Sequence, residues 1–133
     1  MPGVVSSPLA DLRILVVEDE VFIAWEIEER LRRLGCEVVG PVGHLEHALK
    51  LARTTALDGA LLDVNIKGGF VYPVAEELLA REVPVVFSTG YAPATLPPVF
   101  RDLPCMRKPF GAGQLEAVAQ EAFTGRRGKI PLG

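Results

Sequence analysis

The strongest constraint on the fold is a regular alternation between short apolar runs and segments with helical periodicity. The runs cover residues 12–17, 37–42, 57–63, 83–88 and 105–107, and most are rich in Val, Leu and Ile. Short apolar runs of this kind are typical of strands buried on both faces of a sheet. Between them, apolar residues recur at spacings of three and four, which predicts amphipathic helices. The alternation therefore predicts an α/β fold, a five-stranded parallel sheet covered by helices on both faces.

Residues 92–104, between the fourth and fifth runs, interrupt this alternation. The segment contains Pro93, Pro97, Pro98 and Pro104. A proline inside a helix costs about 3 kcal/mol, because its ring clashes with the preceding turn and its nitrogen cannot donate a hydrogen bond. We therefore expect a short or irregular element in place of a full fourth helix.

Length and composition favour one globular domain without a nucleic-acid or membrane role. The 133 residues are enough for one core, and we predict a flexible lead-in at 1–10, a domain at 11–124 and a tail at 125–133. The net charge of -3 lacks the basic footprint of a nucleic-acid binder. No apolar run approaches the roughly 20 residues that span a bilayer, and the first residues do not resemble a secretion signal. We expect a cytoplasmic protein whose Cys36 and Cys105 are free thiols.

Polar residues follow four of the five predicted strands. Right-handed crossovers place the carboxyl ends of parallel strands on one edge of the sheet, where open sheets of this kind bind ligands. The polar residues at this edge are Glu18 and Asp19 after strand one, Asp63 after strand three, Ser88 and Thr89 after strand four, and Lys108 after strand five. The edge therefore collects three carboxylates, hydroxyl groups and one ammonium group.

This set of groups indicates phosphoryl chemistry. Crowded carboxylates raise one another's pKa unless a cation lies between them, and Mg²⁺ accepts two or three oxygen ligands alongside a phosphate. A lysine and a hydroxyl group can hold phosphoryl oxygens, and an aspartate can serve as a covalent nucleophile. Strand one is followed by Glu18-Asp19-Glu20 instead of a glycine-rich phosphate loop, and these carboxylates would repel a phosphate unless a metal intervened.

Four motifs in this order resemble the receiver domain of bacterial two-component response regulators, which is CheY-like. They are V-V-E-D-E at 16–20, L-L-D-V-N at 61–65, F-S-T-G-Y at 87–91 and R-K-P-F at 107–110, and the resemblance runs from about residue 12 to 123. F-S-T-G-Y is similar to a subgroup with an F-x-T-G-Y signature and an atypical fourth helix. The resemblance implies a flavodoxin-like, doubly wound sheet with strand order 2-1-3-4-5.

The resemblance also implies a role for each site residue. Asp63 corresponds to the phospho-acceptor, Thr89 to the switch hydroxyl and Lys108 to the lysine that pairs with the phosphoryl group. Mg²⁺ would be held by Glu18, Asp19, Asp63 and the backbone carbonyl of Asn65, and the bond before Pro109 is often cis in the family. One departure concerns Cys105, which stands where many receivers carry an aromatic residue that turns inward on activation; Tyr91 is a nearby candidate for that role.

Three functions are compatible with these residues. The first is a stand-alone receiver that takes a phosphoryl group from a sensor histidine kinase or phosphotransfer protein and signals to an unknown downstream protein, with a homodimer as an option. About 20 flanking residues are too few for an output domain. The second is a Mg²⁺-dependent phosphatase acting through an aspartyl-phosphate, but Asn65 occupies the place where such an enzyme needs an acid/base carboxylate. The third is a degenerate receiver used as an interaction module, against which the five retained polar positions count.

Overall fold

The structure, a computed structural model, describes residues 7–128, with side chains to residue 124. Its strands and helices alternate as the sequence predicts. In chain order they are β1 (Arg13–Val17), α1 (Val21–Arg33), β2 (Glu37–Val42), α2 (Leu45–Thr54), β3 (Gly59–Asp63), β4 (Asn65–Ile66), β5 (Gly69–Phe70), α3 (Tyr72–Ala80), β6 (Val85–Thr89), β7 (Cys105–Arg107) and α4 (Ala112–Gly128).

Five strands form one parallel sheet in the order β2-β1-β3-β6-β7. Counted within the sheet, this is the predicted order 2-1-3-4-5, so the flavodoxin-like α/β fold is confirmed. Successive strand residues point to opposite faces. Leu15 and Val17 pack with α2 and α3 on one face, whereas Ile14 and Val16 pack with α1 and α4 on the other. Both faces of the sheet are therefore covered.

The proline-rich segment folds as two short 3₁₀ turns, Pro93–Thr95 and Pro98–Phe100, which confirms the prediction of an irregular fourth helix. The segment is nevertheless anchored in the core. Leu96 and Phe100 are buried, and the Phe100 ring stacks on Tyr72 with centroids 5.4 Å apart and meets Phe87 edge-on at 5.5 Å. The aromatic contacts fix this segment against β6 and α3.

Several limits differ from the sequence prediction. Helix α4 starts at Ala112 and continues to Gly128, into the predicted tail, and Leu9 of the predicted lead-in is fully buried. The β4–β5 hairpin has no counterpart among the predicted elements. The domain limits stay a prediction, because residues 1–6 and 129–133 lie outside the described residues. Within residues 7–128, the helices lack the length and apolar character needed to cross a membrane.

Gly59 at the start of β3 provides a test of how tightly the sheet packs against α4. A Cβ atom at this position would clash with Cδ1 of the Phe123 ring, and Phe123 is 2% exposed. We predict that Gly59→Ala lowers the free energy of unfolding by about 1–3 kcal/mol, as overpacking in a close-packed core does. Denaturant unfolding monitored by circular dichroism measures the change.

Gly113 in α4 supplies the matched control, because a Cβ atom at this position would have nothing within 4 Å. Gly113→Ala should leave stability unchanged or raise it, since alanine favours a helix more than glycine does. Equal stability of Gly59→Ala and the wild type would show that β3 and α4 are not packed as described.

Candidate functional site

Three carboxylates meet at the carboxyl edge of the two central strands. Val17 at the end of β1 pairs with Leu62 in β3, so Glu18 and Asp63, the next residues, emerge side by side. One oxygen each from Glu18, Asp19 and Asp63 lies within 4.8 Å of the others. Glu18 is 3% exposed and Asp63 is 6% exposed, whereas Asp19 is half-buried. The strand register alone therefore brings the predicted acidic residues together.

Lys108 contributes the positive charge of this cluster. Its Nζ lies 2.8 Å from Oε1 of Glu18 and 3.2 Å from Oδ2 of Asp63, and its side chain is 15% exposed. The backbone N–H of Lys108 donates to the carbonyl of Thr89 at 2.8 Å, which fixes the start of the loop after β7. The Lys108–Pro109 peptide bond is cis, as the family resemblance implied.

The site holds more negative than positive charge. Burial, followed by the adjacent Glu18 carboxylate, raises the pKa of Asp63 from 3.8 to about 7, although Lys108 acts in the opposite direction. Burial would lower the pKa of Lys108, but contacts with Glu18 and Asp63 outweigh it and raise that pKa. The lysine therefore stays charged, and one ammonium group does not neutralise the neighbouring carboxylates.

The donor set fits a hard divalent cation. Oε2 of Glu18 accepts a hydrogen bond from the backbone N–H of Glu20 at 3.1 Å. Oε1 is at ion-pair distance from Lys108, yet the described residues give it no aligned hydrogen bond. A buried carboxylate oxygen without an aligned hydrogen bond, beside two further carboxylates, matches the oxygen ligands that Mg²⁺ prefers. The backbone carbonyl of Asn65 stays a prediction as a further ligand.

Two hydroxyl groups lie at the end of the next strand. Ser88 pairs with Asp63 across β6 and β3, and both Ser88 and Thr89 are buried. The Oγ1 of Thr89 accepts a hydrogen bond from the backbone N–H of Tyr91 at 3.1 Å. This leaves the hydroxyl proton of Thr89 available for donation. Thr89 therefore sits at the predicted edge, with its hydroxyl engaged only as an acceptor.

Gly43, directly after β2, is a site residue that the sequence prediction missed. A Cβ atom there would lie 2.9 Å from Cα of Asp19, so a side chain would push against the acidic loop. The carbonyl of Gly43 also accepts from the N–H of Lys67, and the carbonyl of Lys67 accepts from Leu45. These bonds hold the β4–β5 hairpin beside the site. A glycine directly after a predicted strand was the only signal for this role.

Cys105, which replaces the aromatic residue of many receivers, and Tyr91, the candidate for that role, differ in burial. Cys105 on β7 is half-buried and Tyr91 is 61% exposed. Both cysteines are free, and burial raises the pKa of the Cys36 thiol to about 11. The proposed coupling through Tyr91 stays a prediction.

The known proteins that this chain resembles include response regulators and receiver domains. No family model matches the chain. SdrG from Sphingomonas melonis Fr1 is 41% identical, with 86% of this chain and 97% of SdrG covered and a TM-score of 0.71, and a BeF3-activated conformation of SdrG has also been solved. The receiver domain of the sensor histidine kinase PA1611 from Pseudomonas aeruginosa PAO1, with a magnesium ion in its active site cleft, is 25% identical, with 87% and 99% of the two chains covered and a TM-score of 0.71.

A curated relative extends the comparison to a longer protein. The regulator PhyR from Methylorubrum extorquens is 32% identical over 118 residues, which cover 83% of this chain and 43% of PhyR. The chain spans about half the length of the curated relatives it matches. The SdrG match, by contrast, takes in nearly all of both chains at 41% identity. This chain therefore belongs to the response-regulator receiver domains, a family of phospho-accepting signalling domains.

Proposed function

We propose that this chain is a single-domain response regulator of a phosphorelay, which accepts a phosphoryl group on Asp63. The observation that carries the proposal is the buried Asp63 carboxylate with Lys108 Nζ at 3.2 Å and two more carboxylates within 4.8 Å. The donor is the phosphohistidine of a sensor histidine kinase or phosphotransfer protein in the cytoplasm. The signal then passes to a protein partner through a conformational change.

The transfer forms one bond and breaks another at phosphorus. An oxygen of Asp63 attacks, and the P–O bond forms as the P–N bond of phosphohistidine breaks. The electron pair of that bond stays on the imidazole nitrogen, and the ring leaves as neutral imidazole when its other nitrogen carries a proton. Lys108 offers its ammonium group to the phosphoryl oxygens, whose charge must be spread in the transition state. The cation itself, Mg²⁺ held by Glu18, Asp19, Asp63 and the carbonyl of Asn65, would supply charge neutralisation.

Thr89 converts the chemical event into a structural one. Its hydroxyl can donate to an oxygen of the phosphoryl group on Asp63, because that proton is not committed in the present arrangement. Turning the hydroxyl toward the site strains or breaks the hydrogen bond that it accepts from Tyr91. The segment after β6 would then shift, and this segment is the part of the surface that a partner can sense.

Two comparisons support the proposal. A BeF3-activated conformation exists for SdrG, at 42% identity to this chain, and BeF3 on a carboxylate imitates a phosphoryl group. PA1611 carries magnesium in the corresponding cleft of its receiver domain. Both proteins therefore support Mg²⁺-dependent phosphorylation of Asp63 as the expected chemistry of this chain.

The phosphatase alternative lacks a proton-transfer group. Such an enzyme hydrolyses its aspartyl-phosphate with help from a nearby acid or base. Asn65, two residues after Asp63, cannot take that role because an amide does not exchange a proton near neutral pH. Asn65 therefore favours a phospho-aspartate that persists long enough to signal.

Phosphorylation by a small donor tests the proposal directly. With Mg²⁺ and acetyl phosphate, the wild type should gain one phosphoryl group per chain, and Asp63→Asn should gain none because an amide is not a nucleophile here. Intact-protein mass spectrometry measures the gain. Asp102→Asn, at an exposed aspartate away from the site, is the matched control and should label like the wild type.

Two outcomes would contradict this assignment. Equal labelling of Asp63→Asn and the wild type would place the phosphoryl group elsewhere. A wild type that stays unlabelled while it binds Mg²⁺ would favour the degenerate receiver instead.

The raised pKa of Asp63 predicts a pH-dependent stability in metal-free protein. Because the folded pKa of about 7 exceeds the unfolded value near 3.8, this carboxyl favours the folded state at low pH, and its contribution is lost as pH rises through 7. In EDTA, the Tm of the wild type minus that of Asp63→Asn should therefore fall between pH 5 and pH 8. Differential scanning fluorimetry at matched ionic strength measures the Tm of both proteins at each pH.

Added Mg²⁺ should reverse that loss at pH 8, because a cation favours the ionised carboxylates. The rise in Tm should be larger for the wild type than for Asp63→Asn, which lacks one ligand. A Tm difference that stays constant across pH, or an equal Mg²⁺ response in both proteins, would argue against Asp63 as the carboxyl group with the raised pKa.

A further inference from the structure

A groove opens next to the acidic site, between the β4–β5 hairpin and the proline-rich segment. Its volume is about 660 Å³, within the range of roughly 300–1,000 Å³ that is common for ligand sites. Val64, Thr89 and Leu96 form its buried floor. Phe70 and Tyr91, which are 57% and 61% exposed, form its rim. The groove is thus an apolar hollow with aromatic edges.

The proline-rich turns create one wall of this groove. Pro97 and Pro98 line this wall. The buried ring of Phe100, stacked on Tyr72, holds the wall in place. Arg101 closes the wall, and its Nε donates to the carbonyl of Leu96 at 2.9 Å. That bond uses one of the five guanidinium donors, so the others remain available to a ligand.

The charge of the lining sets this groove apart from the other described cavities. Arg101 is its one charged lining residue, and no carboxylate of the described chain lies within ion-pair distance of that side chain. Three other cavities of the described chain are each lined by at least one glutamate. In a protein with a net charge of -3, an apolar groove with an arginine and no carboxylate favours an acidic ligand.

We propose that this groove binds a peptide segment of a protein partner, with a carboxylate of the segment on Arg101 and a large apolar side chain between Phe70, Tyr72 and Tyr91. Aromatic and arginine side chains of this kind dominate the binding energy of protein interfaces. Val99, beside Pro98, is 77% exposed and extends the apolar surface beyond the hollow. An extended peptide covers such a rim, whereas a small molecule would fill only the hollow.

The groove also shares two residues with the acidic site. Asn65 and Thr89 line it, and Thr89 accepts the hydrogen bond from the N–H of Tyr91 on the rim. A hydroxyl that turns toward a phosphoryl group on Asp63 releases that N–H, so the position of Tyr91 depends on the state of the site. This coupling rests on the proposed function, whereas peptide binding itself does not. By linkage, a peptide whose affinity depends on phosphorylation also changes the equilibrium extent of phosphorylation.

Selection from a displayed library of random twelve-residue peptides tests the groove on the unphosphorylated full chain. The enriched peptides, synthesised with a fluorophore, are titrated by fluorescence polarisation. They should share an acidic residue close to a large apolar one. Arg101→Gln and Tyr91→Ala should each weaken binding about tenfold or more, as loss of a central interface residue does, while Arg101→Lys should keep part of the affinity.

Trp25→Ala is the matched control, because Trp25 is a 59% exposed aromatic residue on α1 that does not line the groove. It should bind like the wild type. The Tm of each variant shows whether it folds. If Arg101→Gln does not fold, the binding of Tyr91→Ala decides the outcome, because Tyr91 is exposed. The proposal is overturned if nothing is enriched over empty support, if the peptides lack an acidic residue, or if both groove variants bind like the wild type.

A second titration tests the coupling. The same peptides are measured with Mg²⁺ alone and with Mg²⁺ and BeF3, in the wild type and in Asp63→Asn. The Kd should change about fivefold or more in the wild type only, a coupling within the usual range. An unchanged Kd in protein that takes up a phosphoryl group by mass would overturn the coupling. If the protein takes up none, the proposed function fails while the result for the groove stands.

Discussion

The Lys108 ammonium is shared between two buried carboxylates, at 2.8 Å from Glu18 and 3.2 Å from Asp63. This sharing sets the chemistry of the whole edge. Burial and the adjacent Glu18 carboxylate raise the pKa of Asp63 to about 7, and the shared ammonium group only partly offsets them. A bound cation or a transferred phosphoryl group therefore changes the charge balance of a site whose carboxylates repel one another. The fold holds these charges together, because their strands cannot slide without losing the core.

The core explains why the strands cannot slide. Side chains of β1 and β3 such as Ile14, Leu15 and Leu62 are fully buried, and a register shift of one residue would exchange the two faces. Gly59 reinforces this from the other end of β3, where the ring of Phe123 occupies the space of a Cβ atom. The position of Asp63 is thus determined by packing along the entire strand. A residue on a packed strand is held more precisely than a residue on a loop.

Periodicity and strand ends were enough to predict the sheet and the acidic edge, because both are properties of consecutive residues. The contacts that complete the site were beyond such reasoning. A hairpin with two residues per strand has no measurable alternation, and the preference of Lys108 for Glu18 depends on side-chain geometry. The groove arises from the stacking of Phe100 on Tyr72, which are 28 positions apart. Packing between residues that are distant in the sequence determines the hairpin contacts and the groove, and a local sequence pattern does not encode that packing.

One hydrogen bond, from the N–H of Tyr91 to the hydroxyl oxygen of Thr89, links the acidic edge to the groove. Under the proposed function, a Thr89 side chain that turns toward a phosphoryl oxygen on Asp63 would move its Oγ1 away from the N–H of Tyr91. The bond would then have two states, and energetic coupling between two sites requires an element of this kind. Tyr91 is exposed and lines the groove, while Thr89 is buried at the edge of the sheet, so one bond joins interior chemistry to the outer surface. In a chain where Cys105 replaces the inward-turning aromatic residue of many receivers, the proposed coupling would pass through the backbone of Tyr91.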